Sequence, residues 1–297
     1  MKKGLHSFFS ILLFLLLFGC STDESNVSQK IETASESDEE EHRIISTTVA
    51  ITEIMDALEL DLIGVPSSYK DLPERYNGLP EVGMVKTPDL EIIKSLKPTD
   101  VLNVSTLEYD LKPVYEEVGI EASFLNLDSL ENMLNTIQEL GEKYEREKQA
   151  EDIVTKINRK LDEIKSTVEG NKQPTVLILL GIPGSYLVAT EHSYIGDLVK
   201  QLGGVNVVTS ESVEYVASNT EYLQQSDPDI ILRAAHGMPE EVVKMFDQEF
   251  RENDIWKHFN AVKNNRVYDL EERIFGTTGN LGVEEALDEL VKMLYPQ

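Results

Sequence analysis

The sequence predicts an α/β fold: two Rossmann-like lobes with mostly parallel sheets, joined by one long helix, with a ligand cleft between them. Three observations carry that prediction. Short apolar runs alternate with helical stretches, as strands and helices do in a parallel α/β sheet. One long amphipathic pattern stands near the middle of the chain. A helix-to-strand unit appears once on each side of it.

The central pattern places apolar residues at Ala150, Ile153, Val154, Ile157, Leu161, Ile164 and Val168, at intervals of three and four, which is one face of a helix. Charged residues, among them Lys156, Arg159, Lys160 and Glu163, fill the other face, and Gly170-Asn171 supply the stop. Beyond it the run from Pro174 to Gly181 is apolar, contains Val and Ile, and ends at glycine, as a strand buried on both faces would. The repeated unit reads Pro88-Asp-Leu-Glu91-Ile-Ile-Lys-Ser-Leu-Lys-Pro98-Thr-Asp-Val-Leu102 and then Ser218-Asn-Thr-Glu221-Tyr-Leu-Gln-Gln-Ser-Asp-Pro228-Asp-Ile-Ile-Leu232. In each copy a glutamate opens a short helix, a proline ends it, and an apolar strand follows. The expected organisation is a signal over 1–19, a lipidated cysteine and acidic tether over 20–43, an N-terminal lobe over 44–145, the linking helix over 146–170 and a C-terminal lobe over 171–297.

At the N-terminus Lys2-Lys3 precede an apolar run from Phe8 to Phe18 and the sequence Gly19-Cys20. A bilayer-spanning helix needs about 20 apolar residues, so the run reads as a secretory signal, with Cys20 as the lipidation site. The stretch from Ser21 to Glu41 is dense in Ser, Asp and Glu, too polar to fold, and reads as a tether. Membrane attachment is therefore expected through the N-terminal lipid alone, on the extracellular face. Cys20 is the single cysteine, so no disulfide framework is expected. A formal net charge of −27 excludes nucleic acid as a partner.

Among the histidines, His192 lies in a polar loop and His258 lies beside aromatic residues; both read as ordinary surface or core-edge residues. His236 differs, because it directly follows the strand Ile230 to Ala235 and precedes Gly237-Met-Pro239, where proline opens a helix. The carboxyl end of a parallel strand is where such folds present binding groups. A lone histidine cannot build a zinc or manganese site, which needs three or four clustered ligands. It can supply one axial bond to a haem iron already held by four porphyrin nitrogens. A second axial bond would come from the opposite lobe, where Met84 offers a thioether. Haem propionates would be received by N–H groups at the helix starts near Thr47-Thr48 and Pro239, and by the Ser68 and Tyr69 hydroxyls. Glu91 and Glu221, matched across the repeat, read as carboxylates offered to arginines on a two-fold symmetric membrane partner. The phosphate-loop, serine-hydrolase, zinc-protease and Cys-x-x-Cys motifs are absent, and no enzymatic activity is expected.

From about Ile44 onward the chain resembles the IsdE-type haem-binding lipoproteins, solute-binding proteins of ABC importers whose lobes are joined by one rigid helix. The resemblance is dense in Thr47-Thr-Val-Ala50, Pro183-Gly-Ser-Tyr-Leu-Val-Ala-Thr190, Ser193-Tyr-Ile-Gly-Asp-Leu-Val199, His236-Gly-Met-Pro-Glu-Glu241 and Asn253-Asp-Ile-Trp-Lys-His-Phe259. It implies that His236 is an axial ligand of haem b bound as cargo, and that haem lies against Val49, Ala50, Ser68 and Tyr69. It also implies delivery to an ABC permease and its ATPase, with cell-wall haem-relay proteins as donors and the receptor a monomer. One departure stands out. The family pattern resembles Gly-x-x-Met-x-Pro, whereas this chain has Gly83-Met-Val-Lys86-Thr-Pro88. Either Met84 shifts to reach the iron, or Lys86 coordinates after losing its proton, or the iron stays five-coordinate or takes water or another side chain. Met84 is favoured, since lysine with its usual pKa of about 10.4 must first deprotonate. A ferric siderophore or cobalamin is the alternative cargo for the same fold.

Overall fold

The computed structural model describes residues 42–217, 223 and 225–296. The signal, Cys20, most of the tether and Glu221 lie outside the described residues.

The N-terminal half runs β1 (Ile44–Ser46), α1 (Val49–Ala57), β2 (Gly83–Met84), β3 (Thr87–Pro88), α2 (Leu90–Ser95), β4 (Asp100–Val104), α3 (Glu108–Glu117), β5 (Ala122–Leu125) and α4 (Leu130–Lys143). Strands β1, β4 and β5 form a parallel sheet in that order, with Ile44 opposite Asp100 and Val101 opposite Ala122. The central strand β4 is buried at every residue, as a parallel strand covered on both faces must be. The linking helix α5 spans Glu147–Val168 and buries Ala150, Val154, Ile157, Leu161 and Ile164 of the predicted stripe, with Ile153 and Val168 half-buried at its margin.

The C-terminal half runs β6 (Thr175–Ile182), β7 (Ser185–Ala189), α6 (Tyr194–Gln201), β8 (Val205–Asn206), β9 (Tyr215–Ala217), β10 (Ile230–Ala235), α7 (Pro239–Glu252), α8 (Asn260–Lys263), β11 (Val267–Leu270) and α9 (Val283–Leu294). Its sheet has the order β11-β10-β6-β7-β9, with β8 pairing β6. Strands β11, β10, β6 and β8 are parallel. Strand β7 turns back antiparallel at Ile182–Ser185 and β9 follows it, so this sheet is mixed at one edge. Helix α7 sits directly on β6 at Gly181, where a Cβ would stand 2.3 Å from Val242 Cγ1 and 2.6 Å from Phe246 Cε2.

Each half keeps an apolar cluster of its own, around Ile45, Val101 and Tyr115 in the first and around Leu179, Phe246 and Trp256 in the second, but the two sheets also share a core. One apolar cluster runs from Ile44 and α1 through α4, α5 and α6 to α9, and residues 41–297 form one compact unit. Hydrogen bonds also cross between the halves: Asp197 on α6 accepts the Leu130 N–H at the start of α4 at 2.9 Å, and Gly279 N–H donates to Leu127 O at 2.6 Å. Helix α5 is pinned to α9 by Lys156–Glu284 at 2.7 Å and Lys160–Asp288 at 2.6 Å.

His42 and Arg43, expected in the tether, belong to the folded part. His42 packs edge-on against Tyr144 and bonds Asp100, while Arg43 donates to the Leu96 and Lys97 carbonyls. The Arg43 guanidinium on the carbonyls that end α2, and the His42 contacts with Tyr144 and Asp100, explain why the folded unit begins before β1. Among the described residues no helix is long and apolar enough to cross a membrane.

Candidate functional site

Three adjacent segments of the N-terminal half emerge at the carboxyl edge of its sheet. Strand β1 leads into α1, whose N-cap Thr48 accepts the Ile51 N–H at 3.2 Å. The Val49 and Ala50 N–H groups precede any possible intrahelical acceptor and remain the open donors of the first turn. Parallel to β1 runs the chain at Gly64, bridged to Ile45, which carries Ser68 and Tyr69 to the same edge. A second parallel bridge, Val65 to Glu81, aligns the β2–β3 hairpin beside it, and Ser67 N–H donates to Gly83 O at 2.9 Å. The topology therefore gathers Val49, Ala50, Ser68, Tyr69, Met84 and Lys86, spread over 38 positions, onto one rim.

The hairpin fixes the contested position. Met84 pairs with Thr87 and Gly83 with Pro88, so Val85 and Lys86 form a two-residue turn. Gly83 takes a φ of 90°, and any side chain there would meet the Asp89 and Thr87 backbone. With no spare residue in the turn, bringing Met84 to the place of Lys86 would require the register to slip. Met84 is 64% exposed, and Lys86 is exposed at the tip.

The C-terminal half contributes the ends of two neighbouring parallel strands, β10 and β11. His236 follows β10, its N–H bonded to Gly181 O at 2.9 Å. Gly237 and Met238 then adopt left-handed backbone, φ 73° and 49°, before Pro239 opens α7. A methionine in that conformation carries strain, which such turns retain where a side chain must be aimed. The turn leaves Met238 and His236 exposed at the start of this helix.

Glu272, two residues past β11, joins the halves. Its Oε1 accepts from the Tyr69 hydroxyl at 2.5 Å and from Gly237 N–H at 3.1 Å, with Lys70 Nζ at 3.5 Å. Burial raises its carboxyl pKa, but the Tyr69 hydroxyl, the Gly237 N–H and Lys70 outweigh that, holding it below the usual range. Burial likewise pushes the Tyr69 hydroxyl well above its ordinary value, assisted by Glu272. For His236, burial lowers the pKa; Glu272 opposes this, while Lys70 and Lys86 add to it. The residue is exposed, and the lowered pKa favours the neutral ring, which can donate a lone pair. Neither ring nitrogen is hydrogen-bonded to another described residue.

The structure thus brings His236, Tyr69 and the charge of Lys86 to one place. Sequence reasoning missed Glu272 and Lys70. The rule that found His236, looking just past the end of a parallel strand, would have found Glu272 after Val267–Leu270. Elsewhere His192 bonds Ser210 O at 3.2 Å and His258 lies in a short 3₁₀ turn. Glu91 is exposed on the first turn of α2, where Asp89 is the cap. Among the described residues no group of three metal-ligating side chains could hold a bare ion.

The periplasmic binding protein family pattern matches residues 44–274. The high-affinity haem uptake system protein IsdE of Staphylococcus aureus strain Newman is 46% identical over 290 residues, covering 96% of this chain and 95% of that protein. Among solved structures, an ABC transporter substrate-binding protein from Listeria monocytogenes EGD-e superposes with a TM-score of 0.82 at 58% identity, covering 86% of this chain and 99% of that one. The S. aureus IsdE structure complexed with haem gives a TM-score of 0.82 at 49% identity, with 86% and 99% covered.

Proposed function

Given that this chain belongs to the periplasmic binding protein family, we propose that it captures haem outside the cell and delivers it unchanged to an ABC importer for iron acquisition. The observation that carries this is His236: an imidazole at the end of β10 with no hydrogen bond to another described residue, set beside the Tyr69 loop and within reach of the Lys86 charge on the β2–β3 hairpin. The near-half identity to a haem uptake protein along almost the whole chain supports it. The cargo, haem b, would take one axial bond from His236. Its propionates would meet the open Val49 and Ala50 N–H groups at the positive end of α1. Ser68 and Tyr69 would line the same edge, and the exposed Met238 would add apolar surface.

The second axial donor comes from the hairpin. Met84 supplies a neutral thioether, while Lys86 occupies the turn position that the register fixes and lies near enough for its charge to act on His236. Separate replacement decides between them: the variant lacking the true ligand changes the low-spin absorption spectrum, and the other leaves it as it was.

Cys20 would carry the lipid that holds the protein at the extracellular face of the membrane. An ABC permease and its ATPase are the partners that would receive the cargo. Cell-wall haem-relay proteins would supply it, and the receptor would act as a monomer. Hemin added to the chain from Ser21 onward should sharpen the Soret band, and His236→Ala should weaken both band and affinity. An identical spectrum and affinity in that variant would remove His236 from the site.

A further inference from the structure

Glu272 is only 8% exposed, yet its single oxygen Oε1 is shared by donors from both halves of the protein. From the N-terminal half come the Tyr69 hydroxyl at 2.5 Å and Lys70 Nζ at 3.5 Å; from the C-terminal half comes the N–H of Gly237, directly after His236. We propose that Glu272 is the positioning residue of the cleft, fixing the His236 turn against the Tyr69 loop so that the slot for a flat ligand exists before the ligand arrives. The inference rests on the haem-binding reading for the identity of that ligand, though the linkage itself does not need it.

Three features separate this role from that of an ordinary ion pair. An exposed pair contributes little and tolerates loss, whereas loss of this nearly buried carboxylate would leave the Tyr69 hydroxyl and the Gly237 N–H without their acceptor and Lys70 without its ion-pair partner. The turn it holds is also unusual: Gly237 and Met238 are both left-handed, at φ 73° and 49°. Two such residues in succession relax readily unless something outside the turn fixes them, and the Glu272 oxygen on the Gly237 N–H does so. Because His236 begins that turn, the direction of its ring follows from the bond. Finally, a Tyr69 that is 67% exposed is nonetheless held by its hydroxyl, so the same oxygen also sets the opposite wall. A ligand slot pre-set in this way avoids the ordering cost on binding that a loose one incurs.

The test compares Glu272→Ala, Glu272→Asp, Glu272→Gln, Tyr69→Phe and the Ala/Phe double variant. Without ligand, amide hydrogen exchange at Gly237 should quicken in Glu272→Ala and Glu272→Asp, the shorter side chain being unable to reach both walls. It should stay slow in Glu272→Gln, whose amide oxygen still accepts. With hemin bound, transfer to excess apomyoglobin should be about 10- to 100-fold faster in the Ala and Asp variants. Their low-spin electron paramagnetic resonance signal should split into several species, with Gln restoring one. Tyr69→Phe should add nothing on top of Glu272→Ala, since both break one linkage. Should Glu272→Ala fail to fold, the Asp and Gln variants carry the comparison. Wild-type Gly237 exchange in Glu272→Asp would overturn the positioning role whether or not hemin binds. Failure of the wild-type protein to take up hemin would instead overturn the cargo reading and leave the exchange result to stand alone.

Discussion

At the scale of single residues, the proposed axial ligand is the His236 imidazole, whose neutral form donates the lone pair. Burial depresses the His236 pKa, with Lys70 and Lys86 acting in the same direction and Glu272 against them. The unfolded chain then takes up the proton first, near the ordinary value of about 6.5. The stabilising share of the neutral ring is complete above that value and is lost as pH falls toward the folded-state pKa. Removing a nearby positive charge should relieve part of the depression. In Lys86→Ala the His236 ring protons, followed by nuclear magnetic resonance in the ligand-free protein, should titrate at higher pH than in wild type; an unchanged midpoint would place the Lys86 ammonium away from the ring. His236 was legible in the sequence because strand, histidine, glycine and proline occur in an order that only a strand end explains. Glu272 also follows a strand, Val267–Leu270, but Glu271-Glu272-Arg273 looks like any charged surface run and hides which carboxylate matters. The pairing of β10 with β11 sets this carboxylate beside the histidine turn.

At the scale of elements, the helix stripe of α5 and the buried strand β6 were readable because periodicity reports burial directly. The back-turned strand β7 was harder, since Pro183-Gly-Ser185 marks a turn but does not say whether the chain returns as strand or helix. Gly181 shows how tightly these layers meet. Gly181→Ala puts a methyl group against Val242 and Phe246 of α7, and overpacking of this kind costs about 1–3 kcal/mol. A lowered urea midpoint with unaltered slope is the expected result. A second prediction concerns β4 and α4. Burial raises the Asp100 pKa, but hydrogen bonds from Lys143 and Thr99 exceed it and the net shift is downward. A lowered carboxylate contributes stability above its unfolded value of about 3.9 and loses it as pH falls through the folded value. Asp100→Asn should therefore be less stable than wild type at pH 7, with the gap closing toward pH 3. Urea unfolding across that range measures it, and a constant gap would assign the loss to packing.

At the scale of the whole molecule, the internal repeat announced two halves but not how firmly they join. The shared apolar cluster and the Asp197–Leu130 and Gly279–Leu127 bonds make the join a continuation of the core, whereas the side bearing Tyr69 and Glu272 is held by polar contacts. No local pattern in the chain encodes that asymmetry, because it arises from residues about 200 positions apart such as Tyr69 and Glu272.

The same repeat yields a prediction about delivery. Glu91 lies exposed at the start of α2, capped by Asp89, and makes no ion pair within the described residues. Its counterpart Glu221 lies outside them. A free carboxylate at a helix start gains only about 0.3–1 kcal/mol from the helix dipole, too little to account for its recurrence at the same point of both units. Two matched carboxylates, one in each half, suit a membrane partner with two-fold symmetry and an arginine on each side, since charged rim contacts govern encounter more than cargo binding. Replacing Glu91 and Glu221 together by Ala should reduce stimulation of the importer ATPase in vesicles, more so at low salt where such contacts are unscreened. Hemin binding should persist in the same variant. Stimulation at the wild-type level would dismiss the docking pair while leaving the cleft intact, and loss of hemin binding would show that the glutamates serve the fold.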